Sequence, residues 1–137
     1  MTDYSKAQEY RLRDIVRRYF PFIPGIERNP LSGAARLMKG DIADGKDMLP
    51  VHLDHKSTRG RNSITIHRED IEKTYEQGEG KPFKAMTFNF FKDDKVYAIV
   101  RVDDILRLIA YWFKAECMSM LMKRTGEVLD KWNKSSR

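Results

Sequence analysis

The stretch from Met48 to Lys56 limits what this chain can become. It reads as a strand, in which alternate side chains share a face: Val51, Leu53 and His55 on one side, His52, Asp54 and Lys56 on the other. Asp54 and Lys56 therefore project together. A charged pair on the face of a central strand is costly to bury without a partner. Either the strand is an edge strand whose polar face is wet, or another element brings a compensating group. Asp41, on the segment before it, is placed to do so, and a divalent cation between the acids would resolve the rest of the cost.

The remaining elements follow from periodicity and breakers. Residues 4 to 20 read as an amphipathic helix with Leu12, Ile15, Val16, Tyr19 and Phe20 on one face. Pro21 stops it, and Glu9 falls at the edge of its apolar arc beside Val16, either as a boundary glutamate or as an acid aimed at the core margin. Residues 21 to 30 hold three prolines and Gly25, a turn and a short extended piece around Ile26 to Arg28. Ser32, Gly33 and Ala34 are small enough for a tight turn or for close passage of backbone past a phosphate. Arg36 to Ala43 is expected as a strand, with a hairpin turn over Asp44 to Asp47. Ser57 to Ser63 is a basic loop, and Ile64 and Ile66 suit a short return strand. A helix is expected from Arg68 to about Gln77, with acids in its first turn. Phe83–Phe91 and Lys95–Val102 form the clearest strand pair, an antiparallel hairpin in a mixed sheet. A last long helix starts at an Asp103 cap and ends near Gly126, followed by a short helix through Val128, Leu129 and Trp132. Its apolar face, Ile105, Leu106, Ile109, Trp112 and Phe113, is expected to continue into Met118, Leu121 and Met122, and the methionines Met118, Met120 and Met122 are expected in the core, with a dimer contact as the alternative.

At 137 residues the chain fits one domain, a core over about 4–102 and C-terminal helices over about 103–134, with no internal repeat or linker. Its longest apolar run, Leu108 to Phe113, is far short of the roughly 20 residues of a membrane span. Met1 to Asp14 is polar and lacks a secretory-leader pattern. A soluble, cytoplasmic protein of a prokaryotic, archaeal or phage-infected cell is expected. The single cysteine, Cys117, allows no internal disulfide, and with three histidines it leaves no Cys/His zinc framework. Cys117 is expected as a small buried hydrophobe. The net charge of +6 and the clusters Arg11 to Arg18 and Lys56 to Arg61 favour a polyanionic partner.

Two acids and a lysine near phosphate-sized turns suit phosphodiester hydrolysis: oxygen ligands for a hard divalent cation and a fixed positive charge beside the phosphate. A glutamate on a helix, a Ser-Gly-Ala turn, Asp41, then Asp54-x-Lys56 followed by Ser57 and Thr58 resembles the PD-(D/E)xK nuclease superfamily. Within it, small archaeal-type Holliday-junction resolvases and their phage relatives are the nearest likeness, over roughly Glu9 to Ile66. The resemblance implies an α/β, restriction-endonuclease-like core, a central mixed β-sheet flanked by helices. It implies Asp41, Asp54 and Glu9 as metal ligands, Lys56 as the catalytic lysine, and Ser32 and Ser57 near the DNA backbone. Position 54 departs from the pattern, carrying Asp where these resolvases more often have Glu, and Asp41 follows Gly40 rather than proline.

The resemblance further implies Mg²⁺, with Mn²⁺ as a substitute, and metal-assisted DNA cleavage in recombination and repair. Arg36, Arg59 and Arg61 would bind flanking phosphates without reading sequence. Paired cuts on a four-way junction would require a homodimer with two active sites. Another nuclease of the same core, acting on damaged, branched or foreign DNA, and a non-catalytic DNA-binding protein are the alternatives. Of the histidines, His52 shares the face of Asp54 but suits a hydrogen-bonded structural role, His55 is expected to be packed, and His67 to start a helix; none forms a general-base constellation.

Overall fold

The computed structural model describes residues 3–29 and 40–136. Helix α1 spans Asp3–Tyr19, strands β1 and β2 are Glu27–Arg28 and Ile42–Ala43, β3 is Val51–Lys56, and α2 is Arg68–Gln77. Strands β4, Phe83–Phe88, and β5, Tyr97–Ile99, precede α3, Val102–Ser135. β1 pairs antiparallel with β2; β3 pairs parallel with β4, and β4 antiparallel with β5. The fold is α/β with a mixed three-stranded sheet and a two-stranded ribbon. The chain divides into two compact units, Met1–Val100 and Arg101–Arg137.

Parallel pairing of β3 with β4 requires a crossover, which α2 supplies. That pairing also explains why Ile64 and Ile66 do not form the expected return strand. One edge of β3 is taken by β4, and on the other the Asp41 N–H donates to the Leu53 carbonyl at 2.9 Å. The core gathers Leu12 and Val16 of α1, Ile23 and Ile26 of the turn after it, Ile42, Leu49, Leu53 and Ala85. Tyr19, counted on the apolar face of α1, is instead exposed, because the chain turns away at Pro21. Glu9 is buried, which selects the acid aimed at the core margin over the boundary glutamate.

The second unit is α3 alone, one unbroken helix. Gly126 does not end it. One glycine costs about 1 kcal/mol against alanine, too little to interrupt a run whose neighbours propagate the helix. Arg101, in extended conformation, takes the N-cap position without a side-chain cap, so Asp103 lies inside the first turn, where with Asp104 it faces the positive end of the dipole. None of its side chains is buried; Met118, Met120 and Met122 are exposed and Cys117 is partly exposed, against the core positions expected for them. Among the described residues no helix is long and apolar enough to cross a membrane.

Candidate functional site

Gly40 is where the backbone first forces the site. Its φ of +86° lies in the region that side chains resist, and a Cβ there would stand 2.9 Å from the Leu53 carbonyl and 3.0 Å from His52 Nδ1. Glycine thus lets the chain approach β3 closely enough for Asp41 to bond to it. The Asn29 N–H in turn donates to the Asp41 carbonyl at 2.7 Å, tying the same residue to the end of β1. Asp41 is buried, and its Oδ2 accepts the backbone N–H of His55. His55 is the residue between Asp54 and Lys56. The acid of one segment is therefore seated against the Asp-x-Lys of the next.

Along β3 the face carrying His52, Asp54 and Lys56 opens progressively: His52 is buried, Asp54 half-buried, Lys56 exposed. His52 packs at the close approaches of Gly40 and Gly78, a structural position. α2 then supplies two groups that sequence reading did not single out. Thr74 is fully buried, and its Oγ1 lies 3.0 Å from both Asp54 Oδ2 and the Asp70 carbonyl, so its single proton serves one at a time. Asp70 Oδ2 lies 2.9 Å from Lys56 Nζ, and this charge-assisted bond holds the Asp70 carboxyl below its ordinary range. The signal available in the sequence was the four-residue spacing of Asp70 and Thr74, which puts them on one helix face. It named no strand for that face to meet.

On the other face of β3, His55 is buried. The Asn89 carboxamide oxygen, 3.3 Å from Nε2, takes the ring N–H, which leaves Nδ1 to accept the Thr87 hydroxyl at 2.9 Å. Burial lowers its pKa below the usual histidine value, opposed in part by the Asn89 hydrogen bond and the charge of Asp54. His55 is thus a neutral, packed residue, and His67 sits at the N-cap of α2.

Glu9 is held by a different partner. Its Oε2 accepts the Arg28 Nε–H, in a pair whose Glu9 is buried and whose Arg28 is partly buried. Arg28 stands opposite Ile42 in the β1–β2 register, so the pair fastens α1 to the ribbon that carries Asp41. The Gln8 side-chain amide also reaches the Thr58 carbonyl, at 3.4 Å. Ser57, Arg59 and Arg61 lie exposed in the loop beyond Lys56. The Arg61 guanidinium sits 5.5 Å from the centre of the Phe91 ring, and Lys92 approaches the same ring at 5.5 Å. Ser32 and Arg36 lie outside the described residues.

Asp41 and Asp54 are carboxylate donors on adjoining segments, the donor chemistry that Mg²⁺ uses when it keeps several waters. Glu9 fits that role less directly, since Arg28 engages its carboxylate. Among the described residues no three His, Cys, Asp or Glu side chains converge as a metal-binding cluster. A surface hollow of about 610 Å³, lined by Tyr10, Arg11, Asp14, Ile15, Arg18 and Asp94 among others, shares no residue with the β3–α2 group. Comparison with protein-family models, with curated proteins and with solved structures returned no match.

Proposed function

We propose that this chain is a metal-dependent DNA endonuclease with a restriction-endonuclease-like core, acting on branched DNA in the manner of a Holliday-junction resolvase. One observation carries the reading: the Asp41 carboxylate accepts the N–H of the residue between Asp54 and Lys56. Two oxygen donors and a lysine are thereby gathered at one end of a strand whose polar face opens outward there. The order of elements supports it as well, a helix carrying a buried glutamate, then Asp41 just before β2 and Asp54 on β3, then a crossover helix to a parallel strand.

In this reading Asp41 and Asp54 hold the cation, and Thr74 fixes the rotamer of Asp54. Mg²⁺ supplies the Lewis acidity that phosphodiester hydrolysis requires. Lys56 places positive charge beside the scissile phosphate and stabilises the charge that develops there. Asp70, paired with Lys56, holds the ammonium group over the end of β3 before DNA arrives. Glu9 acts as a positioning residue through Arg28. Ser57, Arg59 and Arg61 meet flanking phosphates, and base contacts are not needed for a substrate read by shape. Symmetric cutting needs two copies.

Cleavage of matched synthetic DNAs, a four-way junction, Y-fork, duplex and single strand, with Mg²⁺ or EDTA tests the reading. Paired nicks on the junction, lost in EDTA and lowered at least about 10³-fold in Asp54→Ala with DNA binding retained, are expected. Cutting of other forms keeps the nuclease and changes its substrate. The internal pairing of Lys56 with Asp70 and of Glu9 with Arg28 favours a non-catalytic DNA-binding protein as the second reading. Tight binding without metal-dependent cutting would select it.

A further inference from the structure

α3 changes face halfway along. At about 100° per residue, Val102, Ile105, Leu106, Ile109, Trp112 and Phe113 fall on one arc, with Asp103, Arg107 and Lys114 opposite. Beyond Cys117 the pattern reverses: Met118, Leu121, Val128 and Trp132 lie on the side where the charges were, and Lys123, Glu127 and Lys131 on the former apolar arc. One straight neighbour cannot cover both halves. The first half is the more apolar, since Leu108 to Phe113 contains no charged side chain and its apolar residues extend well beyond a single stripe. Its large apolar side chains are between 38% and 67% exposed.

We propose that the Val102–Phe113 half of α3 is the contact surface between two copies of this chain, packed antiparallel about Ile109. Symmetric cutting also calls for two copies, but this contact rests on the residues of α3 and not on the nuclease reading.

Charge selects the occupant. The helix carries six Lys and Arg against five Asp and Glu, within a chain of net charge +6. It is nearly neutral, offers little to a polyanion or an anionic lipid surface, and does not repel its own copy. Area is sufficient as well. Trp112 and Phe113 are each about three-fifths exposed, and with the aliphatic residues of the same arc two copies can bury on the order of 1,200 Å², the lower end of stable interfaces. An antiparallel two-fold arrangement opposes the helix dipoles and matches unlike shapes. Ile109 meets its own copy, Leu106 meets Trp112, and Ile105 meets Phe113. Asp104 of one copy then lies level with Lys114 of the other.

Sedimentation equilibrium of the full chain across the micromolar range is the first test. A particle of twice the 16.1 kDa chain mass is expected. Ile109→Asp should raise its dissociation constant at least about 100-fold, whereas Leu129→Ala leaves it unchanged. In a Cys117→Ser background, oxidation should join Ile109→Cys chains to each other but not Leu129→Cys chains, and should join Leu106→Cys to Trp112→Cys in a mixture. These cross-links are read on the folded dimer, so the idea does not depend on the aspartate variant folding. A monomer at every concentration overturns it, including one whose Trp112 is shielded from a quencher by the chain's own residues. So does a dimer that survives Ile109→Asp and dissociates with Leu121→Asp.

Discussion

The Met1–Val100 unit and α3 draw on the same kinds of apolar residue and use them differently. In the first, Ile26, Leu49 and Met86 are almost completely removed from water; in the second, Leu121, Val128 and Trp132 are more than half exposed. The difference lies in what each element needs. Strands satisfy their backbone through partners, so β3 exists only with β4 and the Asp41 segment beside it, and burial comes with the pairing. A helix satisfies its backbone internally, so α3 is regular over its whole length while its side chains await a surface. The candidate site residues follow the first pattern: Asp41, Asp54, Lys56, Asp70 and Thr74 are held by contacts between elements distant in sequence.

Four substitutions or conditions can break or sharpen this contrast. The largest effect is expected in the sheet unit, where Leu49→Ala empties a fully buried position and should cost about 2–5 kcal/mol in urea unfolding. A loss under about 1 kcal/mol would mean that this core is as loosely held as the helix surface. Gly40→Ala comes next, at about 1–3 kcal/mol, because the new Cβ meets the Leu53 carbonyl at a positive φ. Chemical-shift changes at Asp41 and Leu53 should accompany it, and their absence would separate Gly40 from the site.

The third concerns pH. Above the ordinary histidine value of about 6.5, His55 is neutral both folded and unfolded and costs nothing. As pH falls through that value, the unfolded chain takes up a proton that burial keeps from the folded one, so stability declines until the lowered folded pKa is reached. The urea midpoint of the wild-type protein should fall more steeply with acidification than that of His55→Gln; equal slopes would show that His55 titrates as an exposed histidine. The smallest effect belongs to α3: Leu129→Ala should change unfolding by no more than about 0.5 kcal/mol. A cost above about 2 kcal/mol would reveal a covered position.

Much of the fold was legible because it is local. Apolar spacing located α1, the acids of its first turn marked the start of α2, and alternation identified β3 and the β4–β5 hairpin. The strand expected over Arg36 to Ala43 can be compared only at its end, where β2 is Ile42–Ala43. Part of the site was legible too. Asp54 and Lys56 share a face because they are two residues apart, whereas the close approach that Gly40 permits came only with the fold. The partners were not. That Lys56 would meet Asp70, that Thr74 would meet Asp54, and that Glu9 would be taken by Arg28 depend on where α2 and β1 pack.

The sequence by itself determined the periodic elements, the charge balance and the residues able to do acid, metal or phosphate chemistry, because helix and strand preferences act within a few residues. Only the tertiary structure decided that β3 lies parallel to β4, that Ile64 and Ile66 go unpaired, and that Asp41 seats its carboxylate on the His55 N–H. Those outcomes rest on hydrogen bonds and packing between segments dozens of residues apart, where the cost of burying each charge depends on which partner arrives beside it.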